Sequence, residues 1–264
     1  MKTSFPALAA GFALCLSADP ARAGHATTTQ TGNANTSNIT QHADAQTSAH
    51  VQQSGHANGG LIVQDVVYYS DARIAQNGAG NGARLEQNNV GHIYLSAIQT
   101  GSANRADMVQ RNNSGFASAR ATQIGTLNAA AVQQDFVAFT QLGIDQSGNS
   151  NRVAATQAGT EQTTLGIQQT GTGNGASTYQ SGSGHNGAIS QNGTHNTAAQ
   201  WQTLVGNDSL IIQTGNNNTA GVRQEGTIGF GTPPNTAWVS QAGNGLYAVV
   251  TQYGGANRAG VNQQ

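Results

Sequence analysis

The residues able to do chemistry are few, and their spacing withholds the usual reactions. Seven histidines run from His25 to His195 without an HExxH signature; His42, His50 and His56 stand closest in the repeat region and would give only weak metal capture. Asp107, Asp135, Asp145 and Glu161 stand singly, so no carboxylate pair is set up for acid–base work. Gly78-x-Gly80-x-Gly82 and Gly171-x-Gly173-x-Gly175 have the glycine density of a phosphate loop but precede no helical pattern. An enzyme is not expected, and no cofactor or metal is called for; a carbohydrate-cleaving β-helix enzyme would need clustered acids. What abounds is the carboxamide. By count 29 Gln and 26 Asn make up about a fifth of the 264 residues. A carboxamide does not titrate. It carries donors and an acceptor side by side, and its chemistry is pairing with copies of itself.

Those carboxamides keep a fixed frame. Gln76-Asn-Gly78-Ala-Gly-Asn81-Gly-Ala83-Arg-Leu-Glu-Gln87 aligns with Gln99-Thr-Gly101-Ser-Ala-Asn104-Arg-Ala106-Asp-Met-Val-Gln110, a pattern Q-x-G-x-x-N-x-A-x-x-x-Q. It recurs without a mismatch from Gln123 through Asn128 to Gln134, and from Gln169 through Asn174 to Gln180. Two more perfect copies run from Gln191 through Asn196 to Gln202 and from Gln213 through Asn218 to Gln224. Copies opening at Gln30, Gln53 and Gln146 differ at the Ala position (Ser37, Gly60, Val153), the third passing Asn151 to reach Gln157. The copy at Gln241 has Leu246 in place of Asn, and a last copy runs from Gln252 through Asn257 to Gln263. Openings as far as Gln241 lie 22 to 24 residues apart, apart from a 28-residue step after Gln213. Degenerate copies offset by 11 run from Gln157 to Gln168 and from Gln180 through His185 to Gln191. Each unit therefore reads as two similar halves, each a strand and a turn.

The elements that position the amides follow from side-chain parity. Two residues before the opening Gln stand Val51, Ile74, Ala97, Ala121, Ile144, Ile167, Ile189, Ile211 and Val239, all apolar. Four residues after the Asn position stand Ile39, Ile62, Leu85, Met108, Val132, Ala155, Thr178, Gln200, Val222, Val250 and Val261, nine of eleven apolar. The next position along is mixed and mostly polar. Period two with one buried face means strands. The motif Gln and Asn share parity with the apolar columns and so point inward. A lone buried amide would cost about 1–3 kcal/mol. Stacked on its copy ~4.8 Å away, it is satisfied. Small Ala83, Ala106, Ala130 and Ala176 let the facing strands approach, and the Gly-x-x-Asn stretch calls for a turn with positive φ. The expectation is an all-β chain of about ten repeats of 22–24 residues stacked coil on coil, a rod roughly 50 Å long.

The repeat resembles the curlin repeat of curli subunits, the secreted proteins that form amyloid fibres on bacterial surfaces. Gln76, Gly78, Asn81, Ala83 and Gln87 carry the likeness, which runs from Gln30 to Gln263. The family's serine six residues before the first Gln is present as Ser70, while Ile93, Ala117 and Thr140 take its place elsewhere. The resemblance implies a two-strand-per-coil, amyloid-forming β-solenoid (curlin-type), and export through a dedicated outer-membrane channel with periplasmic accessory proteins. It also implies a curli-type nucleator or major subunit as partner, and assembly into adhesive fibres for surface attachment and biofilm. About ten units are present, twice the usual number for that family. The same coils would also serve a minor nucleating subunit or a non-polymerising adhesin.

The remaining features bound where the chain works. Lys2, the apolar run from Phe5 to Leu16 and the small-x-small Ala21-Arg22-Ala23 read as a secretory signal over residues 1–23. The repeat region is then 24–264, interrupted around 226–236 by a stretch holding Pro233-Pro234. Cys15 is the only cysteine and Lys2 the only lysine, so the exported chain would have neither, and no disulfide staples it. Only 8% of residues are charged and the net charge is -1, which gives no cationic face for nucleic acid. No apolar run reaches the ~18 residues of a membrane span. Single charges on the strand surfaces could act as gatekeepers against premature pairing. Trp201, Trp238, Tyr179 and Tyr247 fall on or near outward positions, suited to lateral packing between fibrils or to adhesive contact. Motif copies reach both ends of the repeat region without a cap, so each end is expected to dock another copy.

Overall fold

The computed structural model describes residues 24–42, 45–227 and 233–264; the secretory-signal reading of 1–23 lies outside them. Among the described residues there is no helix, and nineteen strands follow one another. They are β1 (His25–Asn33), β2 (Thr36–His42), β3 (Ser48–His56), β4 (Gly59–Tyr68), β5 (Asp71–Ala79), β6 (Gly82–Gly91), β7 (Ile93–Ser102), β8 (Arg105–Arg111), β9 (Ala117–Thr126) and β10 (Ala129–Asp135). There follow β11 (Thr140–Asn149), β12 (Arg152–Glu161), β13 (Thr164–Thr172), β14 (Gly175–Thr194), β15 (Thr197–Asn216), β16 (Thr219–Glu225), β17 (Asn235–Asn244), β18 (Tyr247–Tyr253) and β19 (Arg258–Gln263).

Strands pair in parallel with the strand after next, except that β14 and β15 each run on through a corner and so pair with β13, with one another and with β16. Every strand pairing among the described residues is parallel, none an antiparallel hairpin. The result is two parallel stacks facing one another. The first holds β1, β3, β5, β7, β9, β11, β13, residues 186–194 of β14, residues 207–216 of β15, β17 and β19. The second holds β2, β4, β6, β8, β10, β12, residues 175–183 of β14, residues 197–203 of β15, β16 and β18. A β-solenoid of about ten turns results, each turn two strands and two corners. Register follows the frame: Gln53 lies opposite Gln76, Gln76 opposite Gln99, and Gly78 opposite Gly101.

Between the stacks runs one continuous core. Ile74 and Ile144 from the first stack, and Ile62, Leu85 and Met108 from the second, are wholly buried, with Ala83, Ala106, Ala130 and Ala176 among them. Branched residues fill the pleat while the alanines keep the stacks close, which suits so thin a body. Thr178 and Gln200 interrupt the second apolar column yet are buried. Gly187 faces Gln200 from the other stack, and a Cβ there would meet the Gln200 amide nitrogen at 2.6 Å. A missing methyl group therefore makes room for the polar intruder.

The two corners differ, and sequence spacing says where. From first-stack Gln to second-stack Gln the step is 11 residues, as from Gln53 to Gln64. The return step, as from Gln64 to Gln76, is usually 12. The longer return corner encloses its own small apolar cluster of Val67, Val90, Ile93, Ala117 and Val137. A register shift between Ala158 and Thr160 ends this regime. Beyond it the return half from Gln180 to Gln191 also measures 11 residues.

Two sequence alignments need correction here. The degenerate copy from Gln157 closes on Gln169, not Gln168, because the extra residue at the register shift lengthens that half. The last copy does not extend the first series either. Gln252 lies opposite Gln224 in the second stack, while Gln263 lies opposite Gln241 and Val261 opposite Val239 in the first. That copy sits half a turn out of step with the others, because the two half-turns use nearly the same residues.

Candidate functional site

The chemically active feature is the set of amide ladders. In the first stack Gln76 Nε2 donates to Gln99 Oε1 at 2.8 Å, and the same contact links Gln30 to Gln53 at 2.7 Å and Gln241 to Gln263 at 2.9 Å. Gln53, Gln99, Gln123, Gln146, Gln169, Gln191 and Gln213 continue it. In the second stack the chain of donors passes from Gln41 through Gln64, Gln87, Gln110, Gln134, Gln157, Gln180, Gln202 and Gln224 to Gln252. The second amide hydrogen is used as well: Gln99 Nε2 reaches Gly82 O across the core at 3.0 Å. Donors and acceptors are thus matched without water, and the cost of burying each amide is offset.

The asparagines do something different from facing the core along a strand. Asn81 sits in the corner ahead of β6, and its side chain ties three turns together. Its backbone N and Nδ2 donate to Asn58 Oδ1 at 3.1 and 3.0 Å, and Nδ2 also reaches Gly101 O at 2.9 Å. Asn104, Asn128, Asn151, Asn174, Asn196 and Asn218 repeat the backbone-to-Oδ1 contact. Close stacking at this corner requires glycine: at Gly78, with φ of 125°, an added Cβ would lie 1.9 Å from Gly101 O.

Both ladders are polar. Along both columns each ladder Gln donates to the Gln one turn nearer the C-terminal end, whereas each motif Asn Oδ1 at the first corner accepts from the backbone N–H of the next turn in that direction. At the C-terminal rungs, Gln252 and Gln263 donate to the backbone oxygens of Thr236 and Tyr247, each at 3.1 Å, and reach no further Gln among the described residues. Gln30, Asn257 and Gln263, at the rod's ends, are correspondingly not fully buried, unlike the other motif amides from Gln53 to Gln252.

At the return corner the position six residues before the first-stack Gln is a second column: Thr47, Ser70, Ile93, Ala117, Thr140, Thr163, His185, Asn207, Asn235 and Asn257. His185 is fully buried. Its Nε2 lies 3.0 Å from Ser181 O and its Nδ1 3.4 Å from Asn207 Nδ2, which suits a neutral ring protonated at Nε2. Burial holds its pKa below the usual imidazole range, against the opposing backbone hydrogen bonds from Ser181 and Leu204 and the charge of Asp208.

The outer surface carries the rest. Asp107 is not solitary: Arg84 reaches it from the adjacent turn at 3.1 Å, and Glu86 is bridged by Arg84 and by Arg111, the latter at 2.7 Å. Trp201, Trp238 and Tyr247 are exposed, and Tyr179 stacks on Trp201 with centroids 4.3 Å apart. Sequence reading missed a ring stack at the return corner, Tyr69–His92–Phe116–Phe139, with successive centroids 4.9, 5.4 and 6.2 Å apart. Its signal was the 23- or 24-residue spacing of bulky rings one place before the Ser70 column. His50 is hydrogen-bonded to Thr27, and no cluster of three His, Cys, Asp or Glu occurs among the described residues.

A family likeness lies in the last turn and a half of the rod. Residues 235–264 match the curlin associated repeat. No curated protein matches the chain. The matched stretch is β17 to β19, so the curlin repeat spans a full turn and the half-turn that closes on Gln263. The same Gln, Gly and Asn frame recurs through the turns before it, each held by the same ladder contacts. Curlin repeat and solenoid together fit a curli-type structural subunit.

Proposed function

We propose that this chain is the structural subunit of extracellular curli-like amyloid fibres, which mediate attachment and biofilm formation and grow by templated polymerisation. The observation that carries the reading is the polarity of the ladders. One end of the rod offers amide donors from Gln252 and Gln263, and the other offers Gln30 and Gln41 as acceptors. Open parallel edges with matched donors and acceptors template the addition of a like chain. The reading includes export through the periplasm and an outer-membrane channel, with accessory proteins and a curli-type nucleator or major subunit as partners. The Gln and Asn columns are the templating residues. Lone surface charges such as Asp145 act as gatekeepers while the chain is unpaired.

The test is assembly of purified residues 24–264. Thioflavin-positive fibres with a meridional spacing of ~4.8 Å are expected. A chain that stays monomeric alone but accelerates a curli major subunit would be a nucleator. One that does neither would be a non-polymerising adhesin.

A further inference from the structure

The two stacks are unequal. Among the described residues the first has eleven strand segments and the second ten, so the described rod begins on β1 in the first stack and closes on β19 in the first stack again. Suppose a second copy docked with first stack on first stack. Its β1 would pair with β19, but its β2 would face β18 across an empty rung, about twice the ~4.8 Å strand spacing. Turned by half a turn about the rod axis, the newcomer lays β1 on β18 and β2 on β19, and both stacks continue without a gap.

The corners carry an independent sign of the same arrangement. At the first corner the asparagine ladder runs from Asn35 to Asn218 and then stops, because Leu246 takes the next place. At the return corner it starts as the other stops. Asn235 Nδ2 donates to Asn207 Oδ1 at 2.9 Å, and Asn257 N and Nδ2 donate to Asn235 Oδ1 at 3.1 and 3.0 Å. The backbone there also follows the first corner. Gly254 and Ala256 have φ of 91° and 61°, close to the 105° and 56° of Gly32 and Ala34 at the first corner. The final return corner is therefore a copy of a first corner, with Asn257 Oδ1 facing the open end.

We propose that successive subunits join head to tail with a half-turn rotation, so that Asn35 of an incoming copy seats on Asn257 and Gln30 and Gln41 seat on Gln252 and Gln263. Asn35 supplies the backbone N–H that Asn257 Oδ1 accepts, and Gly32 O receives Asn257 Nδ2, as Gly101 O receives Asn81 Nδ2. Gln252 and Gln263 donate to the oxygens of Gln30 and Gln41. Without the rotation Asn35 would sit above Leu246, which has no side-chain acceptor. Each subunit thus presents its Tyr179–Trp201 face on the side opposite to its neighbour's.

This inference rests on the reading of the chain as self-assembling, and cysteine pairs separate the two. Thr29, Thr251 and Asn262 are all exposed and outward. With a half-turn, Thr29 of one copy lies beside Thr251 of the next; without it, Thr29 lies beside Asn262. Neighbouring parallel strands place Cα atoms ~4.8 Å apart, within disulfide reach. Within one rod, Thr29 and either partner are separated by the rod's whole length, so any bond joins two copies. In a Cys15→Ser background, fibres of Thr29→Cys/Thr251→Cys should oxidise to a ladder of covalent oligomers on a denaturing gel. Fibres of Thr29→Cys/Asn262→Cys should run as monomer. The reverse pattern overturns the half-turn, and fibres that cross-link in neither variant overturn end-to-end docking altogether. Absence of fibres from the parent chain would instead defeat the assembly reading, and the docking with it.

Discussion

A Cβ added at Gly78 would lie 1.9 Å from the carbonyl oxygen of Gly101, one turn further along the rod. The contact is backbone, so no rotamer change relieves it, and Gly78 also has φ of 125°. Gly78→Ala should therefore lower the urea midpoint far more than Gly143→Ala, whose Cβ would meet nothing within 4 Å on a strand with ordinary φ. A strained residue with a backbone clash costs on the order of 3 kcal/mol or more, an unstrained strand substitution about 0.5. Similar midpoints for the two variants would mean the corners are not stacked this closely.

The ladders make a second contrast. Gln99 joins Gln76 to Gln123, and Asn104 joins Asn81 to Asn128. Replacing both with Ala orphans buried partners on either side, at about 1–3 kcal/mol for each amide. Thr100→Ala with Arg105→Ala alters only outward side chains. The Gln99/Asn104 variant should show the lower urea midpoint and a longer lag before thioflavin signal. Equal kinetics would remove the amides from the assembly mechanism.

Architecture was legible because the frame repeats. Ile74, Leu85 and Gln87 recur at one parity, and a period of two read over many copies overwhelms local ambiguity. Less legible was what depends on counting a single residue. The extra residue between Ala158 and Thr160 belongs to the last of the 12-residue return halves before the 11-residue one, and only after it, at Gly182 and Gly184, does that corner take first-corner geometry. Because the two halves share one motif, the Gln252 copy looked like another full unit, although register places it half a turn away. The Asn frame was visible, but its role was not. Parity placed Asn81 facing inward, and the amide's service to three backbone turns depends on corner geometry that parity does not encode.

His185 gives the rod a pH dependence of known sign. Its folded-state pKa is depressed by burial relative to the usual value near 6.5. A depressed pKa means the unfolded chain binds the proton first, so stability is fully present above the unfolded value and is lost as pH falls below it. The wild-type urea midpoint should drop between pH 7 and pH 5. His185→Asn, which puts the neighbouring column residue in its place, should flatten that drop. An unchanged slope in the variant would show that His185 is not held neutral.

The interruption offers the most exacting test of the frame. From Gln224 to Gln241 the return half measures 17 residues, six more than from Gln202 to Gln213. Around the insertion the ladders nevertheless close: Gln224 Nε2 reaches Gln252 Oε1 at 2.9 Å, and Asn235 reaches Asn207. Removing Gly229 to Pro234 takes out six residues and leaves Gln224-Glu-Gly226-Thr-Ile-Asn235, which is the motif Q-x-G-x-x-N restored. Proline lacks the ladder donor and belongs in an excursion, not a central strand. The deletion should therefore keep the fibre's ~4.8 Å spacing and at least match the parent's stability, since a shorter loop costs less entropy to close. A six-residue deletion from Asn128 to Gln133 removes a corner Asn and throws Gln134 out of register with Gln110 and Gln157, and should abolish assembly. If the loop deletion also abolishes assembly, the segment 229–234 is a working part of the rod and not an insertion into a completed frame.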